Sequence, residues 1–371
     1  MTARRSWAQP LVPLYRGALW CKDRLRSAGW VRTRRLQWPV VSVGSLSAGG
    51  AGKTPVVIAL AGLLQEAGWT VSVLSRGYGR SGRGVERVSP GAQDAARRFG
   101  DEPVLIAERT GLPVWVGADR YAAGKRAEAE AGEQQRGVHL LDDGFQHLRL
   151  ARQVDVVLLT GDDLEDALLP AGNLREGLAA LQRADVVVVR HDEWTAEGQG
   201  ENEAAARAGR RSLGTRAWEM LREHGHLWTV RRSLRFPAPL KVFGAGLRPV
   251  AFCAVARPEG FAAMLQEAGC GVVETVAFAD HHGYSEADIR RVIEVAKSLE
   301  GTGFVTTEKD AVKLTERMRE ELMQFGPLMV VALDAQFDDP RAVLRSLEEK
   351  LEDAWNGERK PARQSEPERP R

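Results

Sequence analysis

The residues best placed for chemistry form the run Ser47-Ala48-Gly49-Gly50-Ala51-Gly52-Lys53-Thr54. It lies between a β-branched stretch (Val40, Val41, Val43) and apolar residues at helical spacing (Val57, Leu60, Leu63, Leu64). Phosphate oxygens need several convergent backbone N–H groups, and glycines let the backbone approach them closely. A helix N-terminus adds positive potential, a lysine reaches the outer phosphates, and a threonine hydroxyl can hold Mg2+. The strict G-x-x-x-x-G-K-[ST] spacing fails at its first position, Ser47, and the Gly49-Gly50 pair supplies the flexibility slightly later. An ordinary glycine-rich turn would need neither the Gly-Lys-Thr ending nor the strand–loop–helix setting, so the run reads as a phosphate loop.

Such a loop needs a carboxylate at the end of a neighbouring strand to organise Mg2+. Val138 to Leu141 lead into Asp142 and Asp143, and Gly144-Phe145-Gln146-His147 follow. Transfer to a hydroxyl also needs a group that accepts the hydroxyl proton. Asp101 and Glu102, in Gly100-Asp101-Glu102-Pro103, are candidates, although the same pattern fits a helix cap. Asp280-His281-His282 is a further polar cluster that pattern alone would leave on the surface, and Thr307-Glu308-Lys309-Asp310 reads as a helix N-terminus capped by Thr307. Gly77, Gly79 and Gly82 satisfy G-x-G-x-x-G, but no amphipathic helix follows, so a dinucleotide site lacks its context. The arginines beside them (Arg76, Arg80, Arg83) fit an anion-facing or a solvated loop.

The elements that must position these residues alternate. Short apolar runs at 40–43, 69–74, 113–116, 139–141, 154–159 and 186–189 are separated by helix-like segments such as 120–131. That alternation predicts an α/β fold with a mostly parallel sheet and helices on both faces. Residues 192–211 are polar and read as an insertion. Runs at 227–230, 234–236 and 240–243 read as short antiparallel strands of a connector spanning 227–249. A second, smaller α/β unit is expected over 250–350, with strands at 250–255, 271–278, 304–306 and 328–333 and helices near Phe261, at 287–299 and at 310–323. The charged residues 351–371 are expected to be disordered.

Composition sets outer limits. The chain has 371 residues, 43% hydrophobic and 27% charged, which excludes a wholly disordered, collagenous or coiled-coil protein. Three cysteines without ligand spacing argue against a disulfide scaffold or a zinc site and fit a reducing compartment. No apolar run is long enough for a spanning helix, and no secretory signal is visible. Residues 1–38 hold nine basic residues against one acid, a net +8, which leaves −6 for the remainder of a chain of net charge +2. Charge confined to one end argues against a nucleic-acid binder. Leu11, Leu14, Tyr15, Ala18 and Leu19 at helical spacing, with basic residues between them and Trp7, Trp20, Trp30 and Trp38 alongside, fit a helix lying in an anionic membrane interface.

Taken together, Gly49 to Pro55, Ser75-Arg76-Gly77-Tyr78, Gly100 to Pro103, the run Leu141 to His147, Asn173-Leu174-Arg175-Glu176, Ala256-Arg257-Pro258, Asp280-His281-His282 and the run Thr307 to Lys313 resemble the tetraacyldisaccharide 4'-kinase family of the lipid A pathway. The resemblance runs from about Trp7 to Leu333. It implies a two-domain P-loop kinase with the site between the domains. It further implies transfer of the γ-phosphate of ATP to the 4'-hydroxyl of a tetraacylated diglucosamine 1-phosphate, giving lipid IVA at the cytoplasmic face of the bacterial inner membrane. By motif, Ser47 to Thr54 would bind ATP, Thr54, Asp142 and Asp143 would hold Mg2+, Asp101 would be the base and His281 its partner. Lys53 would serve both nucleotide binding and catalysis. Arg76, Tyr78, Glu102, Arg120, Gln146, His147, Arg175 and Glu176 would be substrate contacts. The N-terminal segment would be the membrane-associating helix, and no obligate protein partner is implied. Ser45 stands where the resemblance leads one to expect asparagine.

Two other classes compete. A switch ATPase of the partitioning or metal-insertion type also uses a Gly-Gly-x-Gly-Lys-Thr loop, but often with an additional lysine early in it, where this chain has Ala48. A non-catalytic membrane module would leave Lys53, Asp101 and Asp143 without a purpose.

Overall fold

The computed structural model describes residues 5–30, 32–132, 136–194, 226–238 and 247–358. The expected strand at 240–243, residues 195–211 of the expected insertion and the tail from 359 lie outside them. Twelve strands are described: β1 (Val40–Ser45), β2 (Thr70–Ser75), β3 (Glu86–Arg87), β4 (Val114–Val116), β5 (Gly137–Asp142), β6 (Val154–Leu159), β7 (Val186–Arg190), β8 (Leu227–Arg235), β9 (Pro249–Cys253), β10 (Glu274–Ala277), β11 (Gly303–Thr307) and β12 (Leu328–Phe337). They form one sheet in the order β10-β9-β11-β12-β8-β7-β6-β1-β5-β2-β4-β3. Only β8–β12 and β3–β4 pair antiparallel among the described residues.

Helices are α1 (Val12–Ser27), α2 (Lys53–Glu66), α3 (Ala95–Phe99), α4 (Asp101–Thr110), α5 (Arg120–Ala131), α6 (Pro258–Glu267), α7 (Glu286–Ser298), α8 (Glu308–Ala311), α9 (Glu316–Phe325) and α10 (Pro340–Glu358). Successive strand residues point to opposite faces. In the first unit Val41, Val43, Val71 and Val73 bury against α2 and α4, whereas Val40, Leu74 and Leu141 bury with Ala123 and Ala127 of α5 on the other face. The second unit repeats this: Val250 and Phe252 pack with Ile289 and Val292 of α7, and Ala251 and Cys253 with Phe261 and Leu265 of α6. The α/β reading therefore holds.

Four expectations are corrected. The two short strands of the connector are the single nine-residue strand β8, whose second half pairs with Ala332–Phe337 of β12 while β12 begins on β11. This antiparallel ribbon joins the two units. The helix at 310–323 is broken into α8 and α9, with Thr315 capping the second through the Met318 N–H. Helix α10 extends past 351, and its Val343, Leu347 and Leu351 pack into the first unit's core, so the helix that follows β12 returns to the first unit. Trp38 is no interface tryptophan. It is buried, its N–H donates to Glu128 and its ring lies against His139, so the body begins before residue 38.

Candidate active site

The glycine loop opens at the carboxyl end of β1, a fully buried strand held between β5 and β6. Gly49, Gly50 and Gly52 have φ of 80°, 71° and 85°, and Gly52 is the residue before α2. A side chain at such φ is strained, so glycine lets the loop turn back on itself and aim its N–H groups inward. The Asn173–Glu176 segment pairs along this loop: Ala48 N–H donates to the Asn173 carbonyl at 2.8 Å and Arg175 N–H to the Leu46 carbonyl at 2.7 Å. That pairing brings the Arg175 guanidinium onto Asp143 as a fork, at 2.7 and 2.8 Å. Lys53 Nζ lies 3.4 Å from Asp143 and donates to Ser45 Oγ at 3.2 Å, so serine fills a direct contact to the loop lysine. Gln146 Nε2 donates to the Ser45 carbonyl at 3.0 Å and pins the following loop to β1.

The two aspartates differ. Asp143 is half-buried, and what burial it has would raise its carboxyl, but the Arg175 hydrogen bonds and the Lys53 charge hold it well below the usual range. Asp142 is raised to about 7 by burial and by the negative charges of Glu102 and Asp143, against the Ser75 hydrogen bond and Lys53. Its Oδ2 accepts from Ser75 Oγ at 2.9 Å, and its buried Oδ1 has no donor. A buried carboxylate oxygen without a donor, at the end of the strand paired with β1, fits a divalent cation. Among the described residues no three His, Cys, Asp or Glu side chains converge to hold a metal unaided. Mg2+ suits such a site, since it takes one or two carboxylates and completes its shell with phosphates and water.

Arg120 is buried near these aspartates. Burial and the Arg76 charge lower its guanidinium to about 10, against the pull of Asp142 and Asp143. Burial and the charges of Arg120 and Arg152 likewise lower His147 to about 4. Glu176 is buried and paired with Arg183 at 2.6 Å.

Asp101 and Glu102 open α4, facing the second unit across a cavity of about 250 Å3 whose walls include Gly49 to Pro55, Glu102, Arg257, Asp280, His281 and Lys309. His281 Nδ1 lies 2.9 Å from Asp101 Oδ2, and the Tyr78 and His281 ring centroids are 5.3 Å apart. Burial raises Asp101, but the His281 hydrogen bond and the Lys309 charge outweigh it and the net shift is downward. His281 is raised, by that hydrogen bond first, against burial and Lys309. His281 and Asp143 are two of the four non-glycine residues with positive φ among the described residues, at 60° and 50°. Strained backbone of that kind clusters at functional sites. The neighbouring His282 turns away, stacked on Phe278 and paired with Asp288.

Three residues of this cleft have no role in the sequence reading. Lys309 donates to Glu102 Oε1 at 3.0 Å and lies 3.6 Å from Asp280 and 3.9 Å from Asp101. A cation in a helix's first turn sits among exposed N–H groups that disfavour it, which was the signal for carboxylates opposite. Arg109, from the far end of α4, pairs with Glu308 at 2.7 Å and with Asp334 of β12. Arg257 packs on the glycine loop. For Arg109 the sequence offers no signal, and Arg257 is marked only by its place in the Ala256-Arg257-Pro258 motif.

A glycine loop on a central parallel strand, followed by a helix that opens with Lys53 and Thr54 and flanked by carboxylates on the next strand, defines a P-loop phosphotransferase. The model of the tetraacyldisaccharide-1-P 4'-kinase family matches residues 5–352, and the chain belongs to that family. It is 36% identical to the tetraacyldisaccharide 4'-kinase of Koribacter versatilis over 342 residues, 90% of this chain and 96% of that one. It is 40% identical to the enzyme of the same name from Xanthomonas axonopodis pv. citri over 316 residues, 82% and 83% of the two chains. Among solved structures it is similar to LpxK from Aquifex aeolicus in complex with ATP, with a TM-score of 0.68 and 28% identity over 94% of this chain and 99% of that one. These matches favour the kinase over the switch-type ATPase.

Proposed function

We propose that the chain phosphorylates the 4'-hydroxyl of a tetraacylated diglucosamine 1-phosphate with ATP and Mg2+, giving lipid IVA, at the cytoplasmic face of the bacterial inner membrane. The observation that supports this best is the pair of buried Asp101 with half-buried His281 at 2.9 Å, His281 lining the cavity that the glycine loop also lines. In this reading the acceptor oxygen attacks the γ-phosphorus, the bond to the bridging oxygen breaks, ADP leaves and the hydroxyl proton passes to Asp101. His281 orients the carboxylate, and Lys309 keeps it ionised. Lys53 and the loop N–H groups oppose the charge on the transferring phosphoryl group. Thr54, Asp142 and Asp143 would hold Mg2+, which supplies charge neutralisation of the phosphates when bound. Arg76, Tyr78, Arg120, Gln146, His147, Arg175 and Glu176 are assigned to acceptor contacts or to holding the loops that make them.

Membrane attachment belongs to the same proposal. Trp7, Leu14, Trp20 and Trp30 are exposed by 75%, 72%, 60% and 80%, beside Arg16, Lys22 and Arg24, and no helix among the described residues is long and apolar enough to cross a membrane. The test is incubation with ATP, Mg2+ and the disaccharide 1-phosphate lipid, then mass analysis. One added phosphate per lipid is expected. ATP hydrolysis without a phosphorylated lipid would return the switch ATPase.

A further inference from the structure

We propose that Arg257 is a phosphate-binding residue that the second unit brings to the nucleotide, with Asp162 as the carboxylate that occupies its guanidinium beside the glycine loop until phosphate displaces it. This rests on the kinase reading and adds a residue that reading does not use.

Ala256 and Arg257 connect β9 to α6 and lie directly on the loop. A Cβ added to Gly50 would be 3.1 Å from Arg257 Nε and 3.3 Å from Ala256 Cβ, and one on Gly49 would be 3.5 Å from Ala256 Cβ. The second unit therefore touches the loop at the two glycines whose N–H groups would face phosphate. Arg257 Nη1 is 3.2 Å from Asp162 Oδ2, and Nη2 lies 3.5 Å from Thr160 Oγ1, the limit of a hydrogen bond. Thr160 and Asp162 follow β6, the strand beside β1. Arg257, Asp162, Gly50 and Lys53 line one cavity.

Three other cations near the loop and the cleft are more firmly held. Arg175 and Lys53 converge on Asp143, and Lys309 faces Glu102, Asp280 and Asp101. Arg257 meets one carboxylate, itself 37% exposed, a kind of pair that contributes little on its own. A triphosphate on the loop offers the same guanidinium fork more charge and better-matched oxygens than Asp162 does. As the γ-phosphoryl group departs, negative charge grows on the leaving oxygen, and a planar cation at the rim opposes it. Because Arg257 comes from the second unit, that contact exists only while the units are closed. Nucleotide retention and closure thereby become one event.

A simple clamp between the units would also pair Arg257 with Asp162, and the two readings separate experimentally. ATP binding is measured by displacement of a fluorescent ATP analogue, and transfer by the lipid assay, on the full chain with a wild-type-like thermal transition. Arg257→Ala is expected to weaken ATP about 10-fold and to lower transfer about 10²-fold, the scale of losing one charge-stabilising donor. Arg257→Lys keeps the charge without the fork and should recover part of both. Asp162→Asn removes the competing carboxylate and should tighten ATP severalfold, with a smaller gain in the Arg257→Ala background. Equal weakening by Asp162→Asn and Arg257→Ala would overturn the proposal in favour of the clamp, as would unchanged ATP binding in Arg257→Ala. Absence of lipid product from the unmodified chain would instead count against the kinase reading, whatever Arg257 does to ATP binding.

Discussion

The proposed base can accept a proton only when ionised, and Asp101 is kept so by its neighbours. Burial alone would raise it, yet His281 and Lys309 carry it below its ordinary value. Asp101→Asn keeps the shape and removes the acceptor, so kcat should fall about 10²-fold or more while ATP affinity changes little. Near-full turnover in that variant would move the role to another group. Lys309→Met removes a cation 3.9 Å from Asp101 and leaves Glu102 and Asp280 uncompensated. The Asp101 pKa should rise, and the acid limb of kcat/KM should shift to higher pH. A limb that stays in place would show that Lys309 has no hold on the base. Such residues are hard to read in a sequence because their partners are remote. Lys309 meets Glu102 across 207 positions and Arg109 meets Asp334 across 225, whereas the glycine loop and the Asp142-Asp143 pair each carry their own local pattern.

At the scale of elements, β1 and the loop after β5 are fitted to each other at Gly44. A Cβ there would stand 2.5 Å from Phe145 Cβ and 2.9 Å from the Phe145 N. Because the obstacle includes backbone, Gly44→Ala must push the loop carrying Asp142 and Asp143 away from β1. Overpacking of this kind costs about 1–3 kcal/mol. A lower thermal midpoint together with a loss of turnover is expected, and a variant with unchanged Tm and activity would show that the loop has slack. The strands of the first unit are legible because each is a buried Val- and Leu-rich run bounded by turns, as 154–159 was. β8 was not: in Leu227–Arg235 only Trp228 and Val230 are buried, and Arg231, Arg232 and Arg235 break the apolar pattern. A ribbon strand with little core on either face leaves little periodicity to read. α10 was cut short for the opposite reason. Its charged composition masked Val343, Leu347 and Leu351, a stripe at four-residue spacing that ends seven residues before the described chain does.

Across the whole molecule, the units meet at Asp101–His281, Glu102–Lys309 and Arg109–Glu308. The titratable pair gives closure a pH window. Asp101 is depressed, so its contribution is present above the ordinary carboxyl value of 3.8 and is lost as pH falls through the folded value below that. His281 is raised, so its contribution is fully present below 6.5 and is lost as pH rises through the folded value above that. Small-angle scattering should therefore show the molecule loosening on the alkaline side, and His281→Asn should abolish that dependence; an unchanged profile would detach closure from this pair. The exposed residues of the N-terminal segment allow a separate test. Each basic residue near an anionic leaflet contributes about 1 kcal/mol, screened within about 8 Å at physiological salt, while apolar contact is insensitive to salt. Binding to anionic vesicles should weaken but persist at high salt, and replacing Trp7, Leu14 and Trp20 together by Gln should release it without lowering Tm. Undiminished sedimentation of that variant would place the membrane contact elsewhere. The return of α10 to the first unit reaches beyond packing. Strands β8 and β12 run side by side as the described ways out of that unit and back, and its core closes only with Phe337, Val343, Leu347 and Leu351. On the ribosome the glycine-loop half therefore waits, incomplete, while the second half is made, and its last core residues follow that half out of the exit tunnel.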